Sequence, residues 1–154
     1  MSVRADAETL RRIPIFQNCD VVPLQIMAFS SERMTIGIRE QLLTQGRATD
    51  SAYLVLSGSL LLYANGVEIG RAEPGSLLGE TAMIGGSLSS LTAEAEELSY
   101  VARISNGMFS KVAQEYPEFG ETVLQALGRR VTGSLAELDV VRDLLRSAKS
   151  FSEL

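Results

Sequence analysis

Apolar and polar residues alternate along this chain with three different rhythms. From about residue 5 to 33 the pattern is helical and broken into short pieces. Ala5 or Asp6 opens the first piece, which ends near Pro14. Asp20 with Pro23 opens the second, running through LQIMAFSSER, because an acidic residue followed by proline favours a helix start. From about 34 to 104 the apolar runs shorten and are punctuated by Ser57-Gly58, Asn65-Gly66 and Pro74-Gly75, eight to nine residues apart. Asn-Gly between two such runs signals a type I′ hairpin, since both turn positions need positive φ. The regular spacing predicts a small antiparallel barrel or sandwich, with LSYVARI as a later strand.

After Ser105-Asn106, which suits the cap of a short helix, the helical period returns. Pro117 begins a long helix over about 117–148. Leu124, Val131, Leu138 and Leu145 recur every seven residues, and Leu127 and Val141 sit three after the first and third. Ser134 interrupts the second series, while Leu135 and Leu144 widen the stripe. A helix of some 30 residues reaches about 45 Å, more than a small barrel covers. The stripe therefore predicts a second copy of the chain as partner, with Leu124, Leu127, Val131, Leu138, Val141 and Leu145 forming the seam. The alternative is that its first half packs within the protomer. Gly128 and Gly133 mark a bend or a close helix crossing.

No linker or repeat divides the 154 residues, so one domain is expected over 1–154. Composition narrows the chemistry. The chain has no histidine and one cysteine, Cys19, so Ser–His and Cys–His catalysis, an intrachain disulfide and a cysteine-closed metal site are excluded. An enzyme, a metal site and a cofactor are not expected. Net charge is −5, and the basic pair Arg129-Arg130 reads as a solvated helix face, so nucleic acid is a poor partner. No apolar run suits a membrane span or a signal peptide, and a cytoplasmic address is expected.

The order of elements resembles the cyclic nucleotide-binding domain family, which includes the sensor domains of CRP/FNR-type regulators. LRRIPIF at 10–16 is similar to the family's first helix and turn, and LLTQG at 42–46 with DSAYLVLSGSLLLY at 50–63 to its central turn and hairpin. PGSLLGETAMI at 74–84 resembles the opening of its phosphate-binding cassette, and EYPEF at 115–119 fits the helix junction beyond. The resemblance implies an α+β fold: an antiparallel jelly roll with short N-terminal helices and a long C-terminal one.

It also implies a ligand cup. Gly79 matches the glycine that lets backbone approach ligand, Glu80 the acceptor for a ribose hydroxyl, and Thr81 and Ala82 continue the match. The family then has an arginine for the phosphate, where this chain has Ser89 followed by Ser90. No lysine or arginine lies between Arg71 and Arg103, while Glu73, Glu80, Glu94, Glu96 and Glu97 do. Arg39 replaces a usual glycine, and Arg47 stands where an acidic residue is common. The implied function is a non-enzymatic sensor that dimerises and binds cyclic nucleotide weakly or not at all, leaving another small polar ligand or a protein partner. The alternative is a genuine cyclic AMP or cyclic GMP receptor using Glu80, backbone amides and serines, with Arg103 or Arg129 as a substitute cation. A DNA-binding domain of the CRP type is not expected in this chain, which ends at SAKSFSEL.

Overall fold

The computed structural model describes residues 3–131, with side chains described from residue 5 to 128. The chain forms two compact units, one of the chain up to Ser30 and from Gly107 onward, the other Ser31–Asn106.

The second unit carries the strands. They are β1 (Glu32–Ile36), β2 (Gln41–Leu43), β3 (Ala48–Thr49), β4 (Ser51–Ser57), β5 (Leu60–Ala64), β6 (Val67–Ala72) and β7 (Leu77–Leu78). After the helix α3 (Glu80–Gly85) come β8 (Ser87–Leu88), β9 (Thr92–Ala95) and β10 (Ser99–Ser105). One sheet has the order β1-β10-β4-β7, a second β2-β9-β5-β6, and β3 pairs with β8 as a separate ribbon. All pairings are antiparallel. This is the jelly roll of the expected α+β class: Ile36, Val55, Leu78 and Val101 of the first sheet pack with Leu43, Leu60, Ala72, Ala93 and Ala95 of the second. Period-two burial drives it. In β9, Ala93 and Ala95 point inward while Thr92 and Glu94 do not.

Turn chemistry matches the sequence. Asn65 (φ 53) and Gly66 (φ 78) make the positive-φ turn between β5 and β6. Gln45 clasps this turn: its Nε2 donates to Asn65 Oδ1 at 3.1 Å, and its Oε1 accepts from Asn65 N at 2.8 Å. Two bulges share one design. Arg39 N donates to Ala95 O and Ala95 N to Glu40 O, so two residues oppose one; Gly46, Arg47 and Ser89 repeat the pattern. The first residue of such a bulge is left-handed and is normally glycine. Gly46 has φ 85, but Arg39 holds φ 69.

The first unit is helical. It holds α1 (Val3–Arg11), a 3₁₀ turn (Pro14–Phe16), α2 (Val21–Ser30), α4 (Asn106–Glu115, from Gly107) and α5 (Pro117–Val131 as described). The second helix is shorter than the sequence suggests. It stops at Ser30 because Glu32 and Arg33 pair with Arg103 and Ala102 in β10, and ladder bonds outweigh local helix propensity. Phe119 anchors the unit, stacked 6.3 Å from Phe16 and tilted 5.7 Å from Phe109. Gly120 lies so close to α4 that a Cβ there would sit 3.0 Å from Ala113 Cβ. Cys19 is buried, and burial, then the Asp20 charge, pushes its thiol up to about 11. It is a protonated core side chain at neutral pH.

Leu124 and Leu127 are buried within the protomer, 4% and 3% exposed. The other expected seam positions, the Val131 side chain and Leu138, Val141 and Leu145, lie outside the described residues, as do the Arg129 and Arg130 side chains. Among the described residues no helix is long and apolar enough to cross a membrane.

A left-handed arginine costs on the order of 1–3 kcal/mol, and glycine's larger unfolded-state freedom offsets roughly 0.5–1 kcal/mol of that. Arg39→Gly is therefore expected to raise stability by about 1 kcal/mol. Urea unfolding of the two proteins checks this, and a lower midpoint for the variant is the contrary result.

Candidate functional site

The candidate cup lies on the segment from β7 to β8. Tyr53 and Leu54 of β4 pair with Leu78 and Leu77, bringing the chain to Gly79. Gly79 has φ 76, and a Cβ there would lie 2.8 Å from Ser51 O. Only glycine satisfies both the left-handed turn and the approach to β4. Gly79 O then accepts from Ala82 N at 3.1 Å and Met83 N at 3.2 Å, which starts α3.

The helix is short and pinned at both ends. Ala82, Met83 and Ile84 bury its inner face. At its far end Asn106 Nδ2 donates to Met83 O at 3.0 Å and Ile84 O at 2.8 Å, taking up carbonyls that a helix end otherwise leaves exposed. The Asn106 backbone N–H bonds Asp50 O at 2.7 Å. Asn106 is a clamp that sequence reasoning read only as a cap for α4. The partners lie 22 and 23 residues away, and no local pattern announces them.

Glu80 and Thr81 are half-buried at the start of α3, with Glu80 Oε2 turned away from solvent. Ser89 is 9% exposed. Its amide donates to Arg47 O at 2.8 Å, and its hydroxyl donates to Leu91 O at 2.6 Å within its own loop. Both polar groups of the residue at the expected phosphate position are thus engaged internally. Ser90 is exposed. Gly79, Glu80, Thr81 and Ala82 are contiguous, and the β3–β8 ribbon carries the chain on to Ser89 and Ser90.

The substitute cations fare differently. Arg103 bonds Glu32 Oε2 at 3.1 Å and Asp50 Oδ1 at 3.2 Å. Its guanidinium is raised further, by Glu32 first, and the Asp50 carboxyl is held below the usual range by the Ser51 hydroxyl and then Arg103. Arg71 Nε pairs with Glu96 Oε1 at 2.7 Å, which also accepts from Ser59 Oγ. Both arginines are paired with carboxylates. A separate cavity of about 540 Å³ lies in the helical unit, lined by Asp20, Glu115, Glu118 and Tyr116 among others, and its carboxylates disfavour an anion. Among the described residues no group of ligating side chains could hold a metal ion.

A jelly roll interrupted after a left-handed glycine by one short helix defines a sensor-type ligand domain. The cyclic nucleotide-binding domain model matches residues 37–116, and the chain belongs to that family. It is similar to a cyclic nucleotide-binding-like protein from Brucella abortus, with 28% identity, a TM-score of 0.67, and coverage of 71% of this chain and 98% of that one. The N-terminal domain of a transcriptional regulator from Streptomyces coelicolor shares the fold, with a TM-score of 0.72, 24% identity, and coverage of 79% and 88%. An uncharacterized NTE family protein of Mycobacterium tuberculosis is 28% identical over 131 residues, which are 84% of this chain and 22% of that relative. This chain therefore spans less than a quarter of the curated relative it matches.

Loss of the Asn106 amide strands two buried carbonyls, at about 1–3 kcal/mol. Asn106→Ala is expected to destabilise the protein by that amount and to accelerate amide exchange in α3 before the strands of either sheet. Uniform acceleration across the chain would refute the clamp.

Proposed function

We propose that this chain is a non-enzymatic sensor module, a single working unit over residues 1–154, whose cup takes a small polar ligand and holds cyclic nucleotide weakly. The observation that carries the reading is Ser89. It occupies the position where the family pattern has a phosphate-pairing arginine, and its amide and hydroxyl are spent on Arg47 O and Leu91 O. Removing one partner of a buried charge pair costs roughly 2–5 kcal/mol, on the order of 30- to several-thousand-fold in affinity. Gly79 and Glu80 keep the outline of the cup, which supports Gly79, Glu80, Thr81, Ser89 and Ser90 as its lining; Ala82, also expected there, is buried on the inner face of α3 with its amide bonded to Gly79 O. That preserved outline also favours the second reading, a true cyclic AMP or cyclic GMP receptor relying on Glu80 and backbone donors.

The absence of histidine supports a role without catalysis. So does the match to a 22% share of a much longer relative, a proportion suited to a regulatory part. Output would pass through the long C-terminal helix, with a second copy of the chain or another protein as the reader. Since Leu124 and Leu127 are buried in the protomer, the dimer seam would begin at Val131 and continue through Leu138, Val141 and Leu145.

Calorimetric titration of cyclic AMP and cyclic GMP tests the cup. The parent is expected to give no saturable heat at micromolar ligand, and Ser89→Arg to bind there. Micromolar binding by the parent would establish the receptor reading instead. For the helix, Val131→Asp with Leu138→Asp is expected to convert a dimer to a monomer in light scattering. A mass unchanged by the double substitution removes the seam.

A further inference from the structure

The position that lacks its cation has another one directly across from it. β3 and β8 pair with Ala48 opposite Leu88 and Thr49 opposite Ser87. Continuing that register by one step sets Arg47 opposite Ser89, and the backbone confirms it. Ser89 N donates to Arg47 O at 2.8 Å, and Gly46 N donates to Ser89 O at 2.8 Å. Gly46 absorbs the extra residue of the bulge in its left-handed conformation, so Arg47 and not Gly46 is the true partner of Ser89. Residues directly opposite in an antiparallel pair share a face, with Cβ atoms about 4.5–5.5 Å apart.

That face is buried at Ser89, half-buried at Thr49 and exposed at Ser87 and Arg47, while Leu88 and Ala48 on the other face are both exposed. Arg47 itself is exposed, and among the described residues it makes no ion pair, unlike Arg71 and Arg103. Its backbone is held in place. Arg47 N bonds Thr44 O at 3.1 Å, and Gln45 N bonds Thr92 Oγ1 at 3.0 Å while its side chain clasps Asn65. An arginine with an anchored backbone and an uncommitted head suits bidentate pairing with phosphate oxygens.

We infer that Arg47, reaching across the β3–β8 ribbon to the Ser89 position, is the residue that pairs with the anionic group of a phosphate-bearing ligand in this cup. The inference rests on the cup reading above and names the ligand class it takes. The charge that the family pattern puts on the β8 side is carried here on the β3 side. Because Arg47 lies at the rim, in water, it holds the anion less tightly than a buried cassette arginine. The ligand is thus weakly held and salt-sensitive.

The test is an NMR titration of the full chain with three probes, cyclic AMP, inorganic phosphate and uncharged adenosine, at millimolar concentrations. The parent, Arg47→Gln, Arg47→Lys and Ser89→Arg are compared, with urea midpoints to establish that each is folded. The parent is expected to show saturable shifts in 79–90 with cyclic AMP. Arg47→Gln is expected to weaken these by about threefold to tenfold, with Arg47→Lys in between and adenosine unaffected. Phosphate shifting the same residues would identify the anion alone as the determinant, and cyclic AMP without phosphate would show that the nucleoside is needed as well. Either pattern upholds Arg47 if Arg47→Gln weakens it to that extent. Equal binding by the parent and Arg47→Gln overturns Arg47 and leaves the cup. Binding by Ser89→Arg with none by the parent does the same. No binding by any form removes both.

Discussion

The side-chain amide of Asn106 donates to the Met83 and Ile84 carbonyls while its backbone N–H bonds Asp50 O, so the end of β10, the start of β4 and the end of α3 meet at one residue. A helix of six residues has little stability alone, because nucleation costs more than so few bonds return. Gly79 fixes where α3 starts and Asn106 fixes where it stops. Between them the buried Ala82, Met83 and Ile84 hold its inner face, which leaves Glu80 and Thr81 at the cup. Asn106 is also the first residue of α4. A ligand that shifted α3 would therefore strain the hydrogen bonds of the residue with which α4 begins.

Electrostatics set what the cup can hold. Carboxylates outnumber cations across the cassette, and the two arginines that bracket it in sequence are consumed, Arg71 by Glu96 and Arg103 by Glu32 and Asp50. These pairs are largely exposed and contribute little to stability. Their consequence is that Arg103, one of the two expected substitutes for a cassette cation, is already paired; the side chain of the other, Arg129, lies outside the described residues. On the inference drawn above, an anion entering this cup would meet Arg47 across the ribbon, and a neutral polar ligand would meet serine and threonine hydroxyls instead.

Most of the fold was legible because its signals are local. Asn65-Gly66 and Pro74-Gly75 each report on a few adjacent residues, and each sits at the turn it signals. The overrun of α2 into Glu32 and Arg33 shows the limit. Those residues carry helix-compatible side chains, and only the distant β10 turns them into a strand. The site divides in the same way. The family resemblance pointed to Gly79 and Glu80, and a charge count to the missing cation. The Asn106 clamp and the Arg47–Ser89 pairing were not legible, since each joins residues 22 to 42 positions apart through backbone geometry that sequence does not print. Arg47 was visible only as an oddity after Gly46.

The same local-versus-distant distinction applies to the C-terminal helix. A heptad stripe shows that a face is apolar, not what covers it. Leu124 and Leu127 begin the stripe, yet they are buried in their own protomer, on a helix whose first turn is held by Phe119 against Phe16 and Phe109. The stripe is therefore two surfaces in sequence, a protomer core followed by the positions proposed for a seam. Gly128 falls where the first gives way to the second, and glycine is the residue that lets a helix change direction or take a close neighbour at that point. On the proposed reading such a division has a use: the first turns would stay packed on Phe16 and Phe109 whatever a partner does, and only the positions beyond Gly128 would have to change partners for a signal to pass.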